Sequence, residues 1–177
     1  MRINIRSLRL LLFCLFCFAG ITPAFSAEST VNVSLWDMGA SSMNNFGSAS
    51  PMGMAMSGTH MPMSGGHMAM GRMGIKVDTA SVPAGKVTFE VTNDSSVMIH
   101  EMVVAPVADK NTPLPYSQKT QKVDEDKAGH LGEVAELEPR GSGALTLTLK
   151  PGTYILYCNI PGHYVLGMWT LLEVTAN

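Results

Sequence analysis

The sequence predicts an all-β fold, a two-layered Greek-key sandwich of antiparallel strands, and three observations lead there. Short stretches alternate apolar and polar residues, as half-buried strands do. Turn chemistry separates them, at Pro83-Ala84-Gly85, Asn93-Asp94-Ser95-Ser96, Arg140-Gly141-Ser142-Gly143 and Pro151-Gly152. No stretch carries a strong helical period, which leaves a sandwich as the way to bury the strands.

The elements follow in chain order. Arg2, Arg6 and Arg9 precede an apolar run from Leu10 to Ile21, and Pro23, Ala24, Ser26 and Ala27 close the segment. Residues 1–27 therefore read as a secretory signal peptide, which implies export to the periplasm. The run is too short to cross ~30 Å of hydrocarbon as a helix, and no later stretch is longer, so no membrane span is expected in the mature chain. Residues 28–177 read as one domain. Val31–Trp36 alternates cleanly, and further strands are expected at Ile75–Val77, Val87–Thr92, Ile99–Ala105, Glu133–Leu137, Ala144–Leu149, Thr153–Asn159 and Met168–Val174. Between Asn111 and Gly129 the chain is rich in Pro, Lys, Gln and Asp. It reads as a surface excursion carrying at most a short helix, with Asp124-Glu125-Asp126 a solvated face.

Composition narrows function. The chain has 177 residues, 46% hydrophobic and 15% charged, far too apolar for an intrinsically disordered protein. Removing the three signal arginines leaves 9 basic against 14 acidic residues, a net charge of −5. No basic cluster remains to follow a phosphate backbone, so nucleic acid is not an expected partner. Cys14 and Cys17 leave with the signal, and Cys158 is then alone in an oxidising compartment. A lone thiol there is a buried bystander, an intermolecular bridge or a ligand protected by a metal.

The segment Gly39–Arg72 differs from the rest. It holds eight Met, seven Gly, six Ser and two His in 34 residues, without an acidic group. Such glycine density opposes helix and strand and reads as a flexible insertion between the first and second strands. Met52-x-Met54-x-Met56 and the repeats His60-Met61-x-Met63 and His67-Met68-x-Met70 place soft donors two residues apart, on one side of an extended chain. Thioethers favour Cu(I) and have no proton to lose, so they make candidate Cu(I) ligands even under acidic conditions.

The run Cys158-Asn159-Ile160-Pro161-Gly162-His163-Tyr164-Val165-Leu166-Gly167-Met168 sets thiol, imidazole and thioether at fixed spacings along one loop. Tyr154, Leu156 and Cys158 share a strand face, so the thiol leaves the strand pointing with the core. Pro161-Gly162 turns the chain back and Gly167 permits a second bend. His100, after the turn at Asn93–Ser96, is the best second histidine. Two His, one Cys and a weak axial Met form the blue-copper electron-transfer set. His130 has no partner at a recognisable spacing and reads as a surface or structural histidine.

These residues resemble the cupredoxins, type 1 copper proteins, and specifically those with a C-x4-H-x4-M loop such as sulfocyanin and rusticyanin. The resemblance rests on Asn93, on His100-Glu101-Met102-Val103-Val104, on Lys150-Pro151-Gly152-x-Tyr154-x3-Cys158 and on Cys158-Asn159-Ile160-Pro161-Gly162-His163. It implies one type 1 copper site on His100, Cys158, His163 and Met168, cycling between Cu(I) and Cu(II). With the Met/His segment, the sequence is most similar to bacterial periplasmic copper-tolerance cupredoxins. A copper-handling monomer with a periplasmic redox or copper-transfer partner is expected. A diffusible one-electron carrier is the alternative. Oxidase activity is not expected, because the chain lacks the H-x-H pairs of an oxygen-reducing copper cluster.

Overall fold

The computed structural model describes residues 27–39 and 73–176. The segment expected to be a signal peptide, up to residue 26, and the Met/His segment from residue 40 to residue 72 lie outside the described residues. Among the described residues there are eleven strands and one short helix, in the order β1 (Ala27–Asp37), β2 (Met73–Val77), β3 (Ser81–Pro83), β4 (Gly85–Asn93), β5 (His100–Val107), β6 (Tyr116–Ser117), β7 (Lys122–Val123), α1 (Glu125–Ala128), β8 (Gly132–Leu137), β9 (Ser142–Leu149), β10 (Gly152–Tyr157) and β11 (Trp169–Thr175). Every expected strand is present, and the all-β sandwich holds.

One sheet has the order β2-β1-β4-β9 and the other β3-β11-β10-β5-β8. The expected purely antiparallel pairing is corrected at two places, since β1 runs parallel to β4 and β3 parallel to β11. β1 begins at Ala27 and pairs along nine positions of β4, from Ala27↔Gly85 to Leu35↔Asn93.

The inner faces follow from alternation. Val31, Val33 and Leu35 of β1 and Val87, Phe89 and Val91 of β4 pack against Met102 and Val104 of β5 and Leu156 of β10. Leu145, Leu147 and Leu149 of β9 join the same core, as the Ala144–Leu149 alternation implies.

The stretch 111–129 does more than cover surface. Leu114, Val123 and Ala128 are buried against Val103, Ala105, Ile155, Tyr157 and Tyr164, which makes a second apolar cluster on the outer face of the five-stranded sheet. β5 and β10 are thus covered on both faces, which is why their sequences run nearly continuously apolar. The acidic run also has structural work. Asp124 caps α1 by accepting from the Lys127 amide, Gly129 closes the helix at φ 75°, and Glu125 accepts from Asn159 at 2.6 Å. No helix among the described residues is long and apolar enough to cross a membrane.

Candidate metal centre

Three strand ends and one loop meet at one end of the sandwich. Asn93, the last inward position of β4, is fully buried. Its Nδ2 donates to the carbonyls of Met98 at 2.9 Å, Leu137 at 2.8 Å and Glu138 at 3.2 Å, while its Oδ1 accepts from the Ser95 amide at 3.0 Å. The Ser95 hydroxyl in turn accepts from the amides of Val97 and Met98. The turn foreseen at Asn93–Ser96 is therefore a fixed ramp that delivers His100 to the start of β5. A register shift between His100 and Met102 against β8 accompanies the entry.

The second approach is the loop from Cys158 to Met168. The Cys158 amide donates to the Met168 carbonyl at 3.0 Å, and the Met168 amide to the His163 carbonyl at 3.1 Å. Gly162 at φ 85° and Gly167 at φ 91° occupy left-handed backbone that side chains resist, so both expected bends require glycine. The loop is braced from outside by the 111–129 stretch. The Gly162 amide donates to the Gln121 carbonyl at 2.8 Å, the Val123 amide to Asn159 Oδ1 at 2.6 Å, and the Leu114 amide to the Tyr164 hydroxyl at 3.2 Å.

His100, Cys158 and His163 come together, all buried. His100 Nδ1 lies 3.3 Å from His163 Nδ1, and Cys158 Sγ lies 3.4 Å from His163 Nδ1 and 4.0 Å from His100 Nδ1. A trigonal first-row metal with bonds of about 2.0 Å to nitrogen and about 2.3 Å to sulfur needs donor edges of roughly 3.5–3.7 Å. The three donors fit that array and match a type 1 copper site. Met168 is fully buried in the core cluster that contains Cys158.

The electrostatics suit a metal. Burial lowers the pKa of His100, against the pull of Asp37, and lowers that of His163 to about 4, helped by repulsion from His100. Both imidazoles are therefore neutral and able to offer a lone pair. Burial pushes the Cys158 thiol up to about 12, although the amides of Glu101 and Ile160 direct hydrogen bonds at it. A bound cation is what would displace that proton.

One residue was missed by sequence reasoning. Asp37 Oδ2 lies 2.9 Å from His100 Nε2, with both side chains fully shielded from solvent. Its burial opposes ionisation, but bonds from Ser95, His100 and the Gly39 amide hold its carboxyl below the usual range. The signal was present, because Val31, Val33 and Leu35 point inward and Asp37 continues their period. An aspartate at a strand end reads more readily as the start of a turn.

No family model matches the sequence, and no curated protein matches it. Solved structures do. Rusticyanin from Thiobacillus ferrooxidans superposes with a TM-score of 0.51 at 17% identity, over 84% of this chain and 79% of that one. The fold is the cupredoxin fold. Auracyanin B aligns at 24% identity over 85% of this chain and 90% of its own, with a TM-score of 0.46. A reduced auracyanin from Roseiflexus castenholzii aligns at 25% identity over 55% of this chain and 86% of its own, with a TM-score of 0.43.

Elsewhere on this cupredoxin scaffold, Glu125, His130 and Glu133 bring ligand atoms within 4.8 Å of one another. His130 and Glu133 are exposed, and Glu125 is already engaged by Asn159. The candidate Cu(I) donors Met52, Met54, Met56, His60, Met61, Met63, His67, Met68 and Met70 lie outside the described residues.

Proposed function

We propose that this is an exported, periplasmic type 1 copper protein of copper tolerance, in which His100, Cys158 and His163 would hold copper with Met168 as a weak fourth ligand. The observation that carries the reading is the convergence of two neutral imidazole nitrogens and one thiol, 3.3–4.0 Å apart, in a buried pocket. Bound copper would supply one-electron exchange between Cu(I) and Cu(II) and an intense thiolate charge-transfer band. The chain's part is to keep the donors in place. The backbone bonds around Met168 and the Asn93 ramp fix the ligand positions whichever oxidation state is bound, so little has to move on electron exchange.

The tolerance role is supported by the Met/His segment, whose M-x-M and H-M-x-M spacings suit additional Cu(I). The segment attaches at Gly39 and Met73, and Met73 pairs with Asp37, so both attachments flank the metal end of the sandwich. The electron-carrier reading is favoured by a different feature. Val97, Ile99 and Val165 are exposed apolar residues in the segments that carry the ligands, a surface a redox partner could bury.

Two variants test the proposal. Cys158→Ala should abolish the visible band of the Cu(II)-loaded protein, and a retained band would refute the site. Deleting residues 40–72 should spare the band, because loop shortening changes closure entropy by only ~1 kcal/mol. The deletion should lower Cu(I) stoichiometry and fail to restore copper tolerance to cells lacking the gene. Equal Cu(I) binding and equal protection by the truncated chain would hand the function to the electron-carrier reading.

A further inference from the structure

We propose that Asp37 is a positioning residue that holds His100 in the one tautomer able to ligate copper, and that its buried charge biases the site toward Cu(II). This rests on the copper reading above and adds to it a group that is not a ligand.

The geometry carries the first half. Asp37 is the last inward-facing residue of β1, and its Oδ2 reaches His100 Nε2 at 2.9 Å from the opposite sheet. A carboxylate only accepts hydrogen bonds, so the imidazole must place its single proton on Nε2. Nδ1 is then left with a free lone pair, and Nδ1 is the atom 3.3 Å from His163 Nδ1 and 4.0 Å from Cys158 Sγ. The carboxylate itself is held by the Gly39 amide and the Ser95 hydroxyl, so it cannot swing away from the ring. A ligand histidine whose other nitrogen is tied to a carboxylate has a fixed tautomer and orientation.

Charge counting carries the second half. Cu(II) with the Cys158 thiolate and the Asp37 carboxylate sums to zero, whereas Cu(I) with the same groups leaves one net negative charge. Both side chains of the Asp37–His100 pair are fully shielded, and a net charge in such a place is disfavoured. Replacing the carboxylate by a neutral group reverses the preference, since Cu(II) then carries the net charge and Cu(I) does not.

The experiment uses two variants of the full-length protein. Asp37→Asn keeps the shape and an oxygen acceptor but drops the charge. Its ratio of Cu(II) to Cu(I) affinity should fall at least tenfold, read as a rise of about 59 mV in reduction potential per tenfold, with the thiolate band retained. Asp37→Ala removes the acceptor as well. Nitrogen-15 NMR of its metal-free form should show His100 losing the pure Nε2–H tautomer of the parent, and its Cu(II) affinity should fall roughly 10–100-fold. An unchanged affinity ratio in Asp37→Asn would overturn the charge effect. An unchanged tautomer in Asp37→Ala would overturn the positioning role, whatever copper does. If the parent protein showed no thiolate band with Cu(II), the copper reading would fall, while the tautomer comparison in metal-free protein would still decide what Asp37 does to His100. Should Asp37→Ala not fold, the parent's own tautomer decides, because a proton on Nδ1 of His100 contradicts the proposal.

Discussion

On one face of β5, His100 points between the sheets and each of its ring nitrogens meets a polar neighbour, Asp37 at Nε2 and His163 at Nδ1. On the other face, Glu101 is equally sequestered at 6% exposure, yet its Oε1 finds no hydrogen-bond partner among the described residues, and neither does the Tyr157 hydroxyl. Two adjacent titratable residues are thus buried in opposite ways. The inner face is a prepared polar pocket whose remaining valences suit a metal. The outer face is an apolar cluster, closed by Leu114, Val123 and Ala128, beside an acid that no side chain partners among the described residues. Polar burial here tells a site from a tolerated cost only when the partners of each atom are traced.

The comparison can be broken first at the ramp that makes the inner face. Asn93→Ala removes the two Nδ2 protons shared among the carbonyls of Met98, Leu137 and Glu138 and the oxygen that accepts from the Ser95 amide. It leaves the partly buried carbonyls of Met98 and Leu137 without that donor, while the Glu138 carbonyl keeps the Gly141 amide. At about 1 kcal/mol per bond, the expected loss is about 3 kcal/mol of stability, together with weaker copper binding as His100 loosens. Urea unfolding of the metal-free protein measures the first and a copper titration the second. A loss below about 1 kcal/mol would mean that the strand ladders alone hold the His100 approach.

The outer face is sharpened by pH. Burial, with repulsion from Glu133, Glu125 and Glu136 and only Lys122 opposing, raises the Glu101 carboxyl from 4.5 to about 7. Between those values the unfolded chain has released this proton and the folded chain still holds it. The folded state binds more protons there, so stability falls as pH rises through that window and levels off above it. The full loss is of the order of 3 kcal/mol, at 1.36 kcal/mol per pH unit. Glu101→Gln cannot ionise, so the difference between its urea-unfolding profile and the parent's isolates this residue from the other titrating groups. Parallel profiles for the two proteins would show that Glu101 is ionised, and satisfied, in the folded state.

The same contrast explains what could be read from the sequence. The inner face was legible because its rules are local. Alternation in Val31–Trp36 and Ala144–Leu149 gave strands, and Cys158, Gly162, His163, Gly167 and Met168 lie close enough in one loop for spacing to imply convergence. His100 was reachable because the turn before it is so marked. The inward direction of Asp37 could be read from the β1 period, but its partner and the outer face could not, because both depend on contacts between distant segments. Asp37 acts on a ring 63 residues away. Glu101 lies between the inward-facing His100 and Met102, on the outer face of β5, where Leu114, Val123 and Ala128 fold back over its neighbours Val103 and Ala105. The polar composition of 111–129 concealed those three apolar contacts. The parallel pairing of β1 with β4 is likewise a matter of topology that strand periodicity does not encode.

The smallest effect is the most direct probe of the outer face. Tyr157 is fully buried, and its ring packs edge-on against Tyr164 with centroids 6.0 Å apart. Burial, together with the negative charge of Glu125 and Glu101, raises its pKa well above the usual phenol range, so the hydroxyl stays neutral. Tyr157→Phe preserves the ring and the edge-on contact and deletes only the oxygen. An unpaired buried hydroxyl costs desolvation without return, so its removal should leave stability unchanged or raise it by up to ~1 kcal/mol. The thermal midpoint of the metal-free protein measures this. A hydroxyl on the inner face would behave oppositely, since each polar atom traced there has a partner to strand. If Tyr157→Phe instead lowered stability by more than about 1 kcal/mol, an ordered water would be bridging the hydroxyl and Glu101. The two faces of β5 would then differ in what satisfies their polar groups, solvent on one side and side chains on the other, rather than in whether they are satisfied at all.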